Sequence, residues 1–331
     1  MRRAVTLGWF AVLVAAPALA ASAPAPFEPP FQPPPPRLAE PDAPLNTAPG
    51  GPPPDLAFGA YQRGFFIIAL REATKRIADN AKDAAAMTLL GEIYRDGFAV
   101  KQDFGEASRW FRLASGLGDA SAQFELGILL LDGAPGVTRD REAATAQFVK
   151  AAAQDYASAL YNLGVLALEV EAPAKPDFAK AAGYFKRAAE LGDGNAAYSY
   201  AVQLKDGKGL ALDTAESARW FKRAADAGII SGQVEYAIML FNGVGVERDE
   251  AGAAKIFALA AARRNPIAMN RLAHLLVSGR GVDKDLVQAA VWQKLARAAG
   301  NDDPALDKAI AGLTEDQNRE VDARIQRLLA F

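Results

Sequence analysis

Few side chains in this chain have the chemistry of a catalytic or metal-binding site. Its 331 residues include no cysteine and one histidine, His274. Zinc sites need several cysteine or histidine side chains at short, set spacings, and thiol chemistry needs a cysteine; this sequence offers neither. The nucleophile motifs Ser-x-x-Lys and Gly-x-Ser-x-Gly are absent, as is the metalloprotease motif His-Glu-x-x-His. We therefore expect no catalytic residue, no metal and no cofactor, and we interpret His274 as a structural residue of a helix.

Carboxylates are the one reactive group that recurs at a regular spacing. Six aspartates are separated by 36 or 37 residues: Asp103, Asp140, Asp177, Asp213, Asp249 and Asp285. Paired carboxylates can act as general acid and base, but each of these residues precedes a segment with helical periodicity. A carboxylate at that position accepts hydrogen bonds from the free amides of the first helical turn. The spacing therefore predicts helix caps.

Most of the segments that follow these aspartates contain a large ring and, further on, a pair of small residues. Eight residues after each aspartate stand Phe111, Phe148, Phe185, Phe221, Phe257 and, in the last copy, Gln293. In four copies, alanines three and four residues further on lie on the same helical face as the ring. A large ring on one helix needs small residues on its partner, which indicates closely packed helix pairs.

A second helical segment precedes each aspartate and completes a repeating unit. These first helices are predicted to begin near Ala84, Ala120, Ala157, Gly194, Ile230 and Pro266. A turn containing two glycines, such as Asn242-Gly243-Val244-Gly245, joins the two helices in most copies, and glycine supplies the positive φ angles of a tight connection. It lies between helices and not after a strand, which argues against a phosphate site. One such pair cannot bury its apolar stripe alone, so the units must stack.

At these residues the sequence resembles the Sel1-like repeat proteins, relatives of the tetratricopeptide repeat. The pattern is Ala-x-x-x-Leu-Gly, a glycine turn, and Asp-x-x-x-Ala-x-x-Trp-Phe-x-x-Ala-Ala, with its fullest copies over 196–225 and 234–261. The resemblance implies an all-α, right-handed α/α solenoid, or superhelix, of about six helix-turn-helix repeats with capping helices at both ends. The third copy departs from the pattern, because residues 169–173 replace its glycine turn.

The residues outside the repeats are predicted to form four further segments. Residues 1–20 read as a signal peptide, with Arg2 and Arg3 before an apolar core and Ala18-Leu19-Ala20 as the cleavage site. Residues 21–55 hold fourteen prolines and predict an extended linker. Residues 56–83 predict a capping helix or hairpin with a bend at Gly64, followed by the repeats over 84–300. In the C-terminal cap, 301–331, Thr314 and Gln317 predict a capping box that opens a final helix.

The candidate binding surface is the inner face of the stack, which the first helices line. The fifth residues of these helices are Thr88, Phe124, Tyr161, Tyr198, Val234 and Asn270. The twelfth residues are Arg95, Leu131, Leu168, Lys205, Phe241 and Val277. From these columns we select as candidate partner-binding residues Phe124, Leu131, Tyr161, Leu168, Tyr198, Lys205 and Phe241. The same side chains could instead serve only to pack the repeats.

These observations predict a binding protein and not an enzyme. The formal net charge of −2 offers no basic stripe for nucleic acid. The resemblance implies a scaffold or regulator, which with the signal peptide predicts a cell-envelope adaptor for a protein or peptide. An alternative is action on peptidoglycan or β-lactams, as for cysteine-rich relatives, and another is a purely structural spacer. The predicted location is the periplasm, with secretion or an uncleaved N-terminal anchor as alternatives.

Overall fold

The computed structural model describes residues 55–169 and 175–330 of the chain. The predicted signal peptide and all but the last residue of the predicted linker lie outside this range, and so do residues 170–174 of the third repeat. The described residues divide into two compact units, one up to residue 72 and one from residue 73 onward. Each unit is described separately below.

The described part of the first unit is helical. Helix α1 spans Leu56–Gln62, and α2 spans Phe66–Asp79 and continues into the second unit. Asp55 accepts a hydrogen bond from the Phe58 amide at 3.0 Å, which caps α1. Gly64, with φ of +80°, lies between the two helices, so the bend is where the sequence predicted it. That these helices cap the first repeat remains a prediction.

Six helix pairs fill most of the second unit. The pairs are α3 (Ala84–Asp96) with α4 (Phe104–Gly116), α5 (Ala120–Asp132) with α6 (Arg141–Ala152), α7 (Ala157–Leu168) with α8 (Phe178–Glu190), α9 (Gly194–Asp206) with α10 (Thr214–Asp226), α11 (Ile230–Asn242) with α12 (Glu250–Ala262), and α13 (Pro266–Ser278) with α14 (Leu286–Ala298). Each helix packs on the next in chain order, and the described residues contain no β-strand. The predicted α/α solenoid of six repeats is confirmed, and its first helices begin at the predicted residues.

The six recurrent aspartates cap the second helices, as predicted. Each accepts a hydrogen bond from the backbone amide three residues later, at 2.8–2.9 Å. The amide of each aspartate also donates to a carbonyl near the end of the first helix, as in Asp103 to Tyr94 at 2.9 Å. In the third repeat Asp177 donates to the equivalent carbonyl of Ala167 at 2.9 Å. The third helix pair therefore keeps the register of the others despite its different connecting sequence.

The recurrent phenylalanines form the centre of the repeats. All five rings are at most 2% exposed. In the third repeat a Cβ atom placed on Gly164 would lie 2.5 Å from Phe185 Cε1, so only glycine permits this ring–backbone contact. Repeats one and two have the same contact, while the last three have fully buried alanines at the glycine position. In the sixth repeat Gln293 replaces the ring and donates to the Asp303 carbonyl at 3.1 Å.

The C-terminal cap contains two helices where the sequence predicted one. Helix α15 (Pro304–Ile310) was not predicted; it begins after Asp303, whose carboxylate accepts from the Leu306 amide at 3.2 Å, and it packs on α13 and α14. Helix α16 (Glu315–Leu329) packs on α14 and opens with the predicted capping box of Thr314 and Gln317. Helix α15 thus stands where the first helix of a seventh repeat would begin.

One buried polar side chain breaks the apolar pattern of the first helices. Gln203 is 4% exposed, and neither its amide nitrogen nor its carbonyl oxygen has a hydrogen-bond partner. The equivalent residues of the other repeats are buried and apolar: Ile93, Leu129, Leu166, Met239 and Leu275. An unpaired buried amide is unfavourable because it loses its bonds to water without replacement.

We predict that Gln203→Leu raises the free energy of unfolding by about 1–3 kcal/mol, measured by urea denaturation. Gln123→Leu is the matched control, because Gln123 is equally buried but accepts a hydrogen bond from Gln154 at 3.0 Å. The control should destabilise the protein. Destabilisation by Gln203→Leu as well would contradict this account of the position.

Candidate functional site

The fifth residues of the first helices are packed more deeply than a binding face requires. Thr88, Phe124, Val234 and Asn270 are buried, while Tyr161 and Tyr198 are half-buried. The three aromatic side chains lean on the core phenylalanine of their own repeat, with ring centroids 5.6–5.9 Å apart. Phe124 therefore offers almost no surface to a partner, and the two tyrosines offer part of one. Their role in binding remains a prediction.

The twelfth residues lie nearer to solvent, and two of them form ion pairs with the next repeat. Leu131, Leu168, Lys205 and Phe241 are all half-buried. Lys205 Nζ lies 2.9 Å from Glu235 Oε2, which is the sixth residue of the next first helix. Arg95 makes the same kind of bridge to Glu125. The two columns chosen from the sequence therefore differ: the fifth residues pack against the core, whereas the twelfth residues are more accessible, and Arg95 and Lys205 among them pair with the next repeat.

The ninth residues form a surface column that the sequence analysis missed. They are half-buried throughout: Glu92, Ile128, Val165, Val202, Ile238 and His274. The ninth residue follows the fifth by four positions and precedes the twelfth by three, so all three lie on one helical face. Helical spacing alone could have identified this column. Its apolar members lie in the middle of the stack and its polar members at the two ends.

A groove of about 410 Å³ lies between α11 and α13 on this first-helix surface. Its apolar residues are Ile238, Phe241, Phe257, Leu275 and Val277. Its polar residues are Asn242, Arg271, His274, Ser278 and Arg280. The volume lies within the range of ligand sites, and half of the ten lining residues are apolar. Of the seven candidate residues, Phe241 lines this groove and the other six lie outside it.

Arg280 is held at the rim of the groove by the turn between α13 and α14. Gly279 and Gly281 have φ angles of +70° and +68°, and a Cβ atom on Gly281 would lie 2.2 Å from the Glu250 carbonyl oxygen. The turn therefore rests on the N-terminus of α12, where Arg280 pairs with Glu250 at 2.7 Å. Its guanidinium also lies 4.3 Å from the centre of the Phe241 ring. The hydrogen bond from Arg280 lowers the pKa of the Glu250 carboxyl to about 2.

His274 closes the other side of the groove and links the sixth repeat to the C-terminal cap. Its Nε2 atom lies 2.8 Å from Asp303 Oδ2, and the Asn270 amide donates to the same oxygen at 2.9 Å. The hydrogen bond from Asn270, and to a lesser extent the one from His274, lowers the pKa of the Asp303 carboxyl to about 2. The histidine thus has a structural partner, which agrees with its interpretation from the sequence.

A cluster of carboxylates occupies the opposite end of the first-helix surface. Burial raises the pKa of Glu92 to about 7; Arg95 opposes this effect, and Glu125 and Asp96 add to it. Burial likewise raises the pKa of Glu125. Arg95 bonds to both Glu125 and Asp96, so it is the cation that keeps these acids together.

Residues 55–169 and 175–330 offer neither a cluster of metal ligands nor a helix that could span a membrane. No group of three histidine, cysteine or acidic side chains there is arranged to hold a metal ion. Within the same residues, no helix has the length and apolar character needed to cross a bilayer.

Glu92 gives a pH dependence that can be measured. Its pKa in the folded chain lies above the value of 4.5 expected when unfolded, so folding favours the protonated form. This contribution to stability is present below about pH 4.5 and is lost as the pH rises through about 7. We expect Glu92→Gln to match the unsubstituted protein at pH 4 and to exceed its free energy of unfolding by about 1–3 kcal/mol at pH 8. A difference that does not change with pH would contradict the assigned burial.

Solved structures similar to this chain share the repeat architecture. A protective antigen of uropathogenic Escherichia coli with an SLR fold aligns with a TM-score of 0.70 and 24% identity, over 83% of this chain. The chain spans 60% of the length of that antigen, and the likeness shows the fold alone. A Sel1 repeat protein from Oxalobacter formigenes aligns with a TM-score of 0.60 and 25% identity, over 74% of this chain and 97% of the other. Comparison with curated protein sequences finds no significant match.

The model of the Sel1 repeat matches six consecutive segments: 84–119, 120–156, 157–193, 194–229, 230–265 and 266–301. Each segment begins at the first residue of a first helix and includes one of the six recurrent aspartates and one helix pair. Solenoids of this family are protein-interaction scaffolds that are not typically enzymatic. The matched segments cover most of the chain, which therefore belongs to the Sel1 repeat family.

Proposed function

We propose that this chain is a non-enzymatic adaptor of the bacterial cell envelope that binds a partner protein on its first-helix surface. The groove between α11 and α13 is the observation that carries the proposal. Sel1 repeat proteins typically mediate protein–protein interactions, and the groove supplies a concave site on the repeat surface where a partner segment can lie.

The lining of the groove suits a protein segment. Ile238, Phe241 and Val277 are each half-buried, so their remaining surface can be covered by an apolar side chain of a partner. Binding energy in protein interfaces concentrates in such central apolar contacts, surrounded by a polar rim. Here the exposed side chains of Asn242, Arg271 and Ser278 supply that rim.

We expect Phe241→Ala with Val277→Ala to reduce recovery of the partner by at least about tenfold. The measurement is quantitative mass spectrometry of proteins captured by the tagged chain from its own cells. Leu212→Ala with Leu259→Ala is the matched control, because these leucines are 62% and 60% exposed and lie outside the groove. Thermal unfolding checks that both variants fold. If the same proteins are captured at the same level by both variants, binding at this groove is refuted.

The envelope location in this proposal comes from the N-terminal residues. Arg2, Arg3 and the apolar stretch over 7–15 have the pattern of a secretory signal, with Ala18-Leu19-Ala20 before the expected cleavage point. We predict that the protein recovered from the periplasmic fraction begins near Ala21, as measured by mass spectrometry of its N-terminal peptide. Recovery of an uncleaved chain from the cytosol would contradict the location and leave the groove proposal intact.

A further inference from the structure

A pair of positions recurs between neighbouring first helices, and the charges at these positions indicate what kind of partner could bind there. At each junction the two positions are the twelfth residue of one helix and the sixth residue of the next. Two of these junctions hold an ion pair: Arg95 with Glu125 between α3 and α5, and Lys205 with Glu235 between α9 and α11. In both pairs the acidic partner is the sixth residue. A glutamate at the sixth position therefore forms an ion pair with a cation on the first-helix surface.

The junction between α11 and α13 departs from this arrangement. Its twelfth residue is Phe241, and its sixth residue is the cation Arg271, so this junction contains no carboxylate. Arg271 is exposed, lines the groove and has no hydrogen bond or ion pair with any described residue. A second guanidinium, that of Arg280, lies at the same groove against the Phe241 ring. None of the ten described lining residues is acidic.

The nearby carboxylates are already engaged on other elements. Glu250 accepts from Arg280 and Arg248 at the start of α12. Asp303 accepts from Asn270 and His274 and caps α15. The groove thus combines an unpaired guanidinium with apolar lining residues. A ligand that complements it would carry a carboxylate next to an apolar side chain.

We propose that the groove between α11 and α13 binds an acidic peptide segment of the partner, in which a glutamate or aspartate side chain adjoins a large apolar residue. The carboxylate pairs with Arg271 through two parallel hydrogen bonds, the geometry that a guanidinium favours. The apolar residue lies on Phe241, Ile238 and Val277. This inference rests on the proposed function and adds the chemistry of the segment that is bound.

A library of random peptides displayed on phage and selected on the full-length protein tests this proposal. We expect selected sequences to be enriched in an acidic residue within two positions of a large apolar one. In fluorescence anisotropy, replacing the acid of a selected peptide with glutamine should weaken binding by at least about tenfold. Selected sequences without an excess of acidic residues would overturn the inference.

Charge reversal gives a second measurement with a matched control. Arg271→Glu should weaken binding of the selected peptide by at least about tenfold. It should strengthen binding of a version of the peptide in which lysine replaces the acidic residue. Lys255→Glu makes the same change of charge at an exposed residue of α12 outside the groove, and it should change neither affinity by more than about twofold. Equal effects of the two substitutions would show a general effect of charge and overturn the inference.

The two proposals fail in different ways. Loss of the cellular partner with the Phe241 and Val277 substitutions, but not with Arg271→Glu, refutes the acidic segment and leaves the adaptor function standing. Retention of the partner by all of these variants refutes the groove itself.

Discussion

The contact between a phenylalanine ring and a small residue on the facing helix determines how closely the two helices of a repeat approach. Where the small residue is Gly91, Gly127 or Gly164, a single added methyl group would overlap the ring. The same buried ring in five successive repeats gives the helix pairs a common geometry. The first helices consequently present equivalent positions one after another, and the identity of the residue at each position decides what that part of the surface can bind.

The first-helix surface is chemically uneven although the scaffold repeats. Acidic residues and Arg95 are concentrated near α3 and α5, while apolar residues occupy the ninth position over the next repeats. Lys205 forms an ion pair with Glu235 on the following first helix, but Arg271 forms no ion pair with any described residue. Two of the five junctions between first helices are satisfied by an internal ion pair, whereas the junction between α11 and α13 carries a guanidinium without a partner among the described residues.

The sequence predicted the fold well because each repeat carries its own local signals. The capping aspartates and the first residues of the helices follow from patterns that occur six times, and the buried rings from one that occurs five times. Helix α15 was missed because it is short and occurs once, so no repetition distinguishes it. Of the predicted site residues, Phe241 lines the groove, whereas Phe124 is buried against Phe148. The groove itself could not be predicted, because Phe257 and Arg280 reach it from a second helix and a turn.

Site-specific photo-cross-linking in living cells tests the central claim most directly. A photoreactive amino acid placed at Asn242, on the exposed rim of the groove, would report what lies there, and one placed at Lys255 would report the surface outside it. We predict a cross-linked protein at position 242 whose attached peptide contains an acidic residue beside a large apolar one, and no such product at position 255. A product that forms equally at both positions, or one attached through a segment without acidic residues, would contradict the account.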